Sequence, residues 1–184
     1  GIPTLVANYL SGRDIKLHGE NGILGYGGTL QGGDIGPYVI AAGGNFVSSP
    51  PGPAYFDSVT AFEMVRCGKI DVVCLGAYQV DEACNVANWN TPEIVGGGIG
   101  GAMDMVAGGA TVMVLMEHRD SKDRPKLVRQ CSYPLTGPAC VSIVVTDLAV
   151  LRGGPTGFVL EDVAPGFTAE EVIALTEMNL LVPA

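Results

Sequence analysis

Asp57-Ser58-Val59-Thr60-Ala61-Phe62-Glu63-Met64-Val65-Arg66-Cys67-Gly68 runs through Lys69 into Ile70-Asp71-Val72-Val73-Cys74-Leu75, and the change of pattern between the two halves decides the fold class. The first half reads as a punctuated helix. Asp57 or Ser58 caps it, Phe62 and Val65 share a face, and Gly68 closes it. The second half is an apolar run broken only by Asp71, as suits a strand buried on both faces. Residues 111–116 and 141–145 have the same character, and 157–163 reads as another strand. A second helix is expected from Thr168, because Glu171 follows at the spacing of a capping box. Strands alternating with helices imply an α/β domain built on an open, mainly parallel sheet with flanking helices. In such sheets functional loops lie beyond the carboxyl ends of the strands, and the glycine-rich segments are expected there.

Toward the start, residues 4–10 form a short helical candidate with Pro3 in its first turn. Residues 13–18 alternate, with Ile15 and Leu17 on one face, and read as a strand. The length, 184 residues, suits one domain spanning 1–184. Hydrophobic residues make up 47% and charged ones 16%, which excludes a disordered chain. No apolar run approaches the ~20 residues of a membrane helix, and no basic-then-apolar opening suggests a secretory signal. A net charge of −9 without a Lys/Arg cluster argues against nucleic acid as partner. Five cysteines without a CxxC pair, beside two histidines, make a metal site improbable and fit reduced thiols in a cytoplasmic protein.

Glycine is the compositional anomaly: 27 residues, about twice the ~7% background. The glycines cluster without a period, which excludes a solenoid, and mark loops where backbone approaches something closely. Two clusters bear chemistry. In His18-Gly19-Glu20-Asn21-Gly22-Ile23-Leu24-Gly25, a carboxylate sits between flexible residues beside an amide side chain. On these residues alone, Glu20 is either a solvated loop acid beside an Asn-Gly turn or a nucleophile. In Gly96-Gly97-Gly98-Ile99-Gly100-Gly101-Ala102-Met103-Asp104, the residues Gly96, Gly98 and Gly101 satisfy the dinucleotide pattern GxGxxG. The context fails that pattern, since no buried strand precedes it and only a short helix follows. A glycine loop entering a short helix does present backbone N–H groups to an anion or oxyanion.

Glu20-Asn21-Gly22-Ile23-Leu24-Gly25 is similar to the motif around the catalytic glutamate of family I coenzyme A transferases. Tyr55-Phe56-Asp57-Ser58, Phe62-Glu63-Met64-Val65-Arg66, Leu75-Gly76-Ala77, Gln79-Val80 and Ala87-Asn88-Trp89 match in order. So do Gly100-Gly101-Ala102-Met103-Asp104, Met116-Glu117-His118 and Pro134-Leu135-Thr136-Gly137. The resemblance covers nearly the whole chain and points to the β subunits of the 3-oxoacid and 3-oxoadipate type. It implies the CoA-transferase fold and ping-pong transfer of CoA between an acyl-CoA and a carboxylic acid through a glutamyl-CoA thioester on Glu20. It implies Gly98, Gly100 and Gly101 as the oxyanion or CoA loop, with Asn8, Asn21 and Asn88 as orienting residues. It implies no bound cofactor and no metal, with coenzyme A as co-substrate. The implied partner is a CoA-binding α subunit, in a heterodimer or an α2β2 assembly. Trp89 and His118 are expected to be structural, and Asp104 to serve the short helix or a loop amide.

The sequence also departs from the family pattern. Gly19 stands where many relatives have serine, 45–54 departs from the family pattern, and 81–86 and 90–94 diverge beside the loops expected to contact substrate, so the resemblance does not specify the acyl group. Relatives carry a helix and a strand ahead of the position of Gly1. Two rivals remain at this stage: an acyl-CoA hydrolase or C–C-cleaving hydrolase on the same fold, and a non-catalytic partner subunit.

Overall fold

The computed structural model describes residues 1–10, 12–30, 39–94 and 98–182. They fall in two compact units, Gly1–Ile70 and Asp71–Ala184. Gly96 and Gly97 of the second glycine cluster lie outside the described residues.

The first unit opens with a 3₁₀ helix, Ile2–Tyr9, in which Thr4 returns both its N–H and its hydroxyl to the Gly1 carbonyl. The sequence implies a helix here, and the tighter 3₁₀ winding is the form that short helical pieces take. The strand expected over 13–18 is confined to β1, Leu17–Gly19, because residues 13–16 are exposed and pair with no described strand. β1 turns back antiparallel into β2, Ile23–Tyr26, which pairs in turn with β3, Ala54–Tyr55.

Helix α1, Ser58–Arg66, follows the punctuation of its sequence. The Asp57 carboxylate accepts from the N–H of Thr60 at 2.9 Å and from its hydroxyl at 3.1 Å. These bonds hold the Asp57 carboxyl below the usual carboxylate range. At the far end Gly68 takes a left-handed φ of +66° and donates to Val65. The buried positions are Ala61 and Val65, one turn apart, with Phe62 at the margin of that face instead of its centre.

The second unit carries β4, Val72–Leu75; β5, Gln79–Asp81; and β6, Val86–Ala87. Next come α2, Ala102–Ala107; β7, Thr111–Leu115; β8, Leu127–Val128; and β9, Val141–Val145. It ends with β10, Ala149–Gly154; β11, Gly157–Val163; α3, Ala169–Ala174; and β12, Leu180–Leu181. The main sheet has six strands in the order β12-β11-β10-β9-β7-β4. β4, β7 and β9 pair in parallel, β10 is antiparallel to both its neighbours, and β12 is parallel to β11. Only β10 therefore runs against the other five, which gives the mainly parallel α/β sheet that the alternating pattern implies. A second, smaller sheet has the order β6-β5-β8.

The core of this unit gathers Val114, Val144, Leu151, Phe158 and Val172, all fully buried. α3 starts with the anticipated capping box, Thr168 and Glu171 each bonding the other's backbone N–H. One expectation needs correction. β4 is not buried on both faces: Val73 and Leu75 are buried, while Val72 on the opposite face is 47% exposed, and the strand is at an edge of the sheet among the described residues. The placement of the glycine clusters also differs. Glu20 sits on an antiparallel hairpin, and the second glycine loop leads from β6 into α2, so neither extends a strand of the main sheet.

Candidate active site

The hairpin of β1 and β2 is built around its glycines. Gly19 pairs with Ile23, and the Gly22 N–H donates to the Gly19 carbonyl at 2.9 Å, leaving Glu20-Asn21-Gly22 as a three-residue loop. Gly22 closes it with φ +102°, the left-handed position such loops reserve for glycine. The Phe56 N–H donates to the Gly22 carbonyl at 2.9 Å, and a side chain on Gly22 would collide with the Phe56 carbonyl. The loop tip is thus fixed to the residue that follows β3.

Glu20 stands on that tip. Its Oε2 is buried and meets no hydrogen-bond donor among the described residues. Burial raises its carboxyl above the ordinary value, since the charged form loses water without gaining a partner. An ionised carboxylate in this setting is more basic than one held by an ion pair, which is the condition for attack on a carbonyl carbon.

His18, on β1 two residues earlier, is a residue that the motif reading does not single out. Its ring stacks on Phe56, with centroids 5.9 Å apart and planes at 26°, and its Nε2 is buried without a partner among the described residues. Burial lowers its pKa. The available signal is its place in the chain, two residues before Glu20 at the end of the strand that leads into the loop.

The asparagines are committed elsewhere. Asn21 donates through Nδ2 to the Ile40 carbonyl at 2.6 Å, and Asn8 accepts the Thr29 N–H at 2.9 Å. Both use their amides to hold backbone. Asn88 is clipped to the Pro-Leu-Thr-Gly loop: its N–H donates to the Thr136 hydroxyl at 3.0 Å, and that hydroxyl donates to Asn88 Oδ1 at 2.7 Å. Trp89 adds a bond from Nε1 to the Leu135 carbonyl at 3.3 Å, in keeping with a packing role.

In the second unit, Gly98 and Gly100 are exposed and Gly101 is the N-cap of α2, which receives no side-chain cap. Gly100 has φ +61°, and no atom crowds the space a side chain would take. A two-residue strand before the loop and a six-residue helix after it do not make a dinucleotide-binding unit.

His118 is fully buried and structural. Its Nε2 lies 2.8 Å from the Thr176 hydroxyl, and its Nδ1 lies 3.0 Å from that of Thr146. Thr176 passes its own proton to the Val172 carbonyl at 2.7 Å, so Nε2 of His118 is the protonated nitrogen and Nδ1 accepts. Asp81, 1% exposed, accepts from the N–H groups of Ala83, Asn85 and Cys131 and from the Asn85 amide, at 2.9–3.2 Å. It organises loops and meets its hydrogen-bonding needs internally. Among the described residues, no group of three or more His, Cys, Asp or Glu side chains is arranged to hold a metal.

A family model described as coenzyme A transferase matches residues 1–175. The chain is 41% identical over 182 residues to the B-type polypeptide of the 3-oxoadipate CoA-transferase of Pseudomonas putida, covering 98% of this chain and 85% of that one. It is 42% identical over 185 residues to the β subunit of the acetate CoA-transferase of Escherichia coli K12, covering 100% and 84%. Among solved structures it resembles an acyl-CoA transferase apoenzyme from Escherichia coli O157:H7, with a TM-score of 0.74 at 18% identity. That match covers 98% of this chain and spans 36% of the longer one.

Proposed function

The chain belongs to the coenzyme A transferase family, and we propose that it is a β subunit whose Glu20 carries CoA between an acyl-CoA and a carboxylic acid. The observation that most supports this reading is Oε2 of Glu20, buried without a partner among the described residues, on a loop that only glycine at position 22 allows.

Ionised Glu20 attacks the thioester carbonyl of the donor. A C–O bond forms, the C–S bond breaks, and CoA leaves as thiolate from an acyl-glutamyl anhydride. The thiolate then attacks the glutamyl carbonyl, expelling the donor's acid as carboxylate and leaving a Glu20–CoA thioester. A second carboxylate reverses the sequence. Each step releases one nucleophile, a thiolate or a carboxylate, for the one it consumes, so bonds and charge balance with no change of oxidation state.

The backbone N–H groups of Gly100 and Gly101, with Gly98 in the same loop, are the proposed oxyanion donors. One such donor contributes ~3–4 kcal/mol to the barrier. Asn8, Asn21 and Asn88 shape the backbone around the loops through the bonds described above, and orient substrate only through that backbone. Residues 1–184 act as one β-subunit domain, paired with an α subunit that binds CoA. The donor and acceptor are a short acyl-CoA, such as succinyl-CoA, and a 3-oxoacid or 3-oxoadipate-like acid. The relatives' names include both 3-oxoadipate and acetate at nearly equal identity, so the acid is for assay to determine. Five free cysteines fit action in the reducing cytoplasm. No helix among the described residues is long and apolar enough to cross a membrane.

The test is to incubate the chain and its α subunit with succinyl-CoA, reduce with borohydride, and locate the modified peptide by mass. A CoA-dependent reduction product at Glu20, lost in Glu20→Ala, is expected. Turnover that persists in Glu20→Ala without any adduct would overturn the reading in favour of hydrolysis or C–C cleavage.

A further inference from the structure

Two buried side-chain atoms find no hydrogen-bond partner among the described residues, Nε2 of His18 and Oε2 of Glu20, and both belong to one hairpin. Elsewhere the buried polar groups are matched with care: Asp81 receives four donors, and both nitrogens of His118 are engaged. Buried groups left unpaired are rare in native proteins, and each calls for a partner. Here the two flank Gly19, where a side chain would collide with the Asn21 amide oxygen and the Ile23 side chain, so the close packing of this hairpin requires glycine between them. The His18 ring stacks on Phe56, and the same residue bonds Gly22 through its backbone.

We propose that His18 is a substrate-binding residue, whose Nε2–H donates a hydrogen bond to the carboxylate oxygen of the acid exchanged at Glu20 and to the same oxygen in the acyl-glutamyl anhydride. The inference rests on the transferase reading of Glu20 and adds the residue that recognises the carboxylic acid. A carboxylate is the ligand group that fits. One of its oxygens accepts from Nε2, while the other is the atom that joins or leaves the glutamyl carbonyl. No proton is transferred. Burial keeps the imidazole neutral, so it donates without forming an ion pair that would make Glu20 less basic.

The test compares His18→Phe and His18→Gln, each assembled with the α subunit. Phenylalanine keeps the ring against Phe56 and removes the donor, while glutamine restores a neutral donor. A hydrogen bond to a charged group implies a loss of roughly 10- to 100-fold in kcat/KM for the acceptor acid in His18→Phe. Most of that loss should return in His18→Gln, with the affinity for free CoA unchanged. The unfolding midpoint of His18→Phe should equal or exceed that of the parent, because an unpaired buried nitrogen has been removed. Unaltered kinetics in His18→Phe would overturn the proposal. So would a loss that glutamine does not rescue and that accompanies a lowered midpoint, which is the signature of a packing role. The glutamyl-CoA adduct is scored in the same samples. Its absence from the parent protein would remove the premise, whereas an adduct formed equally fast by parent and His18→Phe would remove only the role of His18.

Discussion

A β-carbon on Gly22 would land on the backbone oxygen of Phe56, and the N–H of Phe56 already bonds the Gly22 carbonyl. The loop that presents Glu20 is therefore set by a contact between residues 34 positions apart. Gly22→Ala meets both this clash and a φ of +102°, and should cost about 2–5 kcal/mol of stability. It should also lower the yield of the glutamyl-CoA adduct. Denaturant unfolding and the adduct assay measure the two effects, and a stable, fully active Gly22→Ala would contradict this account of the loop.

Glu20 should be a stability liability. Burial raises its folded-state pKa, so the folded protein holds this proton more tightly than the unfolded chain does. Below the ordinary value of 4.5 the side chain costs nothing in this respect, and as pH rises through the raised folded value stability is lost. Glu20→Gln should then unfold at the same or a higher midpoint at pH 7, while losing activity. The acid limb of the kcat/KM profile should lie above 4.5, since the proposed mechanism uses the ionised form of Glu20. Parallel melts at pH 4 and pH 7 provide the check.

His118 predicts a pH effect of the opposite sense. Burial lowers its pKa, Asp147 partly offsets this, and Arg119 lowers it further. The unfolded chain takes up the proton first, so the contribution of His118 to stability is intact above about pH 6.5 and declines as pH falls toward the depressed folded value. His118→Ala leaves two threonine hydroxyls short of a partner and opens a cavity, which should cost about 2–5 kcal/mol at pH 7. The pH dependence below 6.5 should flatten in that variant. Urea unfolding across this range, with and without the substitution, decides the matter.

Thr168→Ala removes half of the capping box on α3 and should cost about 1 kcal/mol without changing activity. Thr168→Ser keeps the hydroxyl and should be close to neutral. Comparing the two midpoints separates the cap from general effects at the site.

Much of this protein was legible in the chain because the signals were local. The cap of Asp57 on Thr60, the Thr168–Glu171 box and the strands Val141–Val145 and Gly157–Val163 are written within a few residues of themselves. The family resemblance rests on motifs of the same short range, and it drew attention to Glu20. Other features were settled by partners that periodicity does not name. β4 leaves Val72 half-exposed although its letters read as a strand buried on both faces, and β1 is short because only three of its residues pair with β2. Asn21 is a candidate orienting residue by its letters, yet its amide is taken by Ile40, 19 residues away. His118 and His18 look alike as letters. The first finds Thr176 across 58 residues and becomes structural, while the second stacks on Phe56 and keeps a buried nitrogen without a partner among the described residues. Sequence determined which elements form and that a carboxylate stands on a tight glycine loop, since capping, turn and burial patterns act over a few residues. Tertiary structure alone decided which buried polar atoms are satisfied and which stay without a partner among the described residues, because a hydrogen bond depends on where distant parts of the chain come to rest.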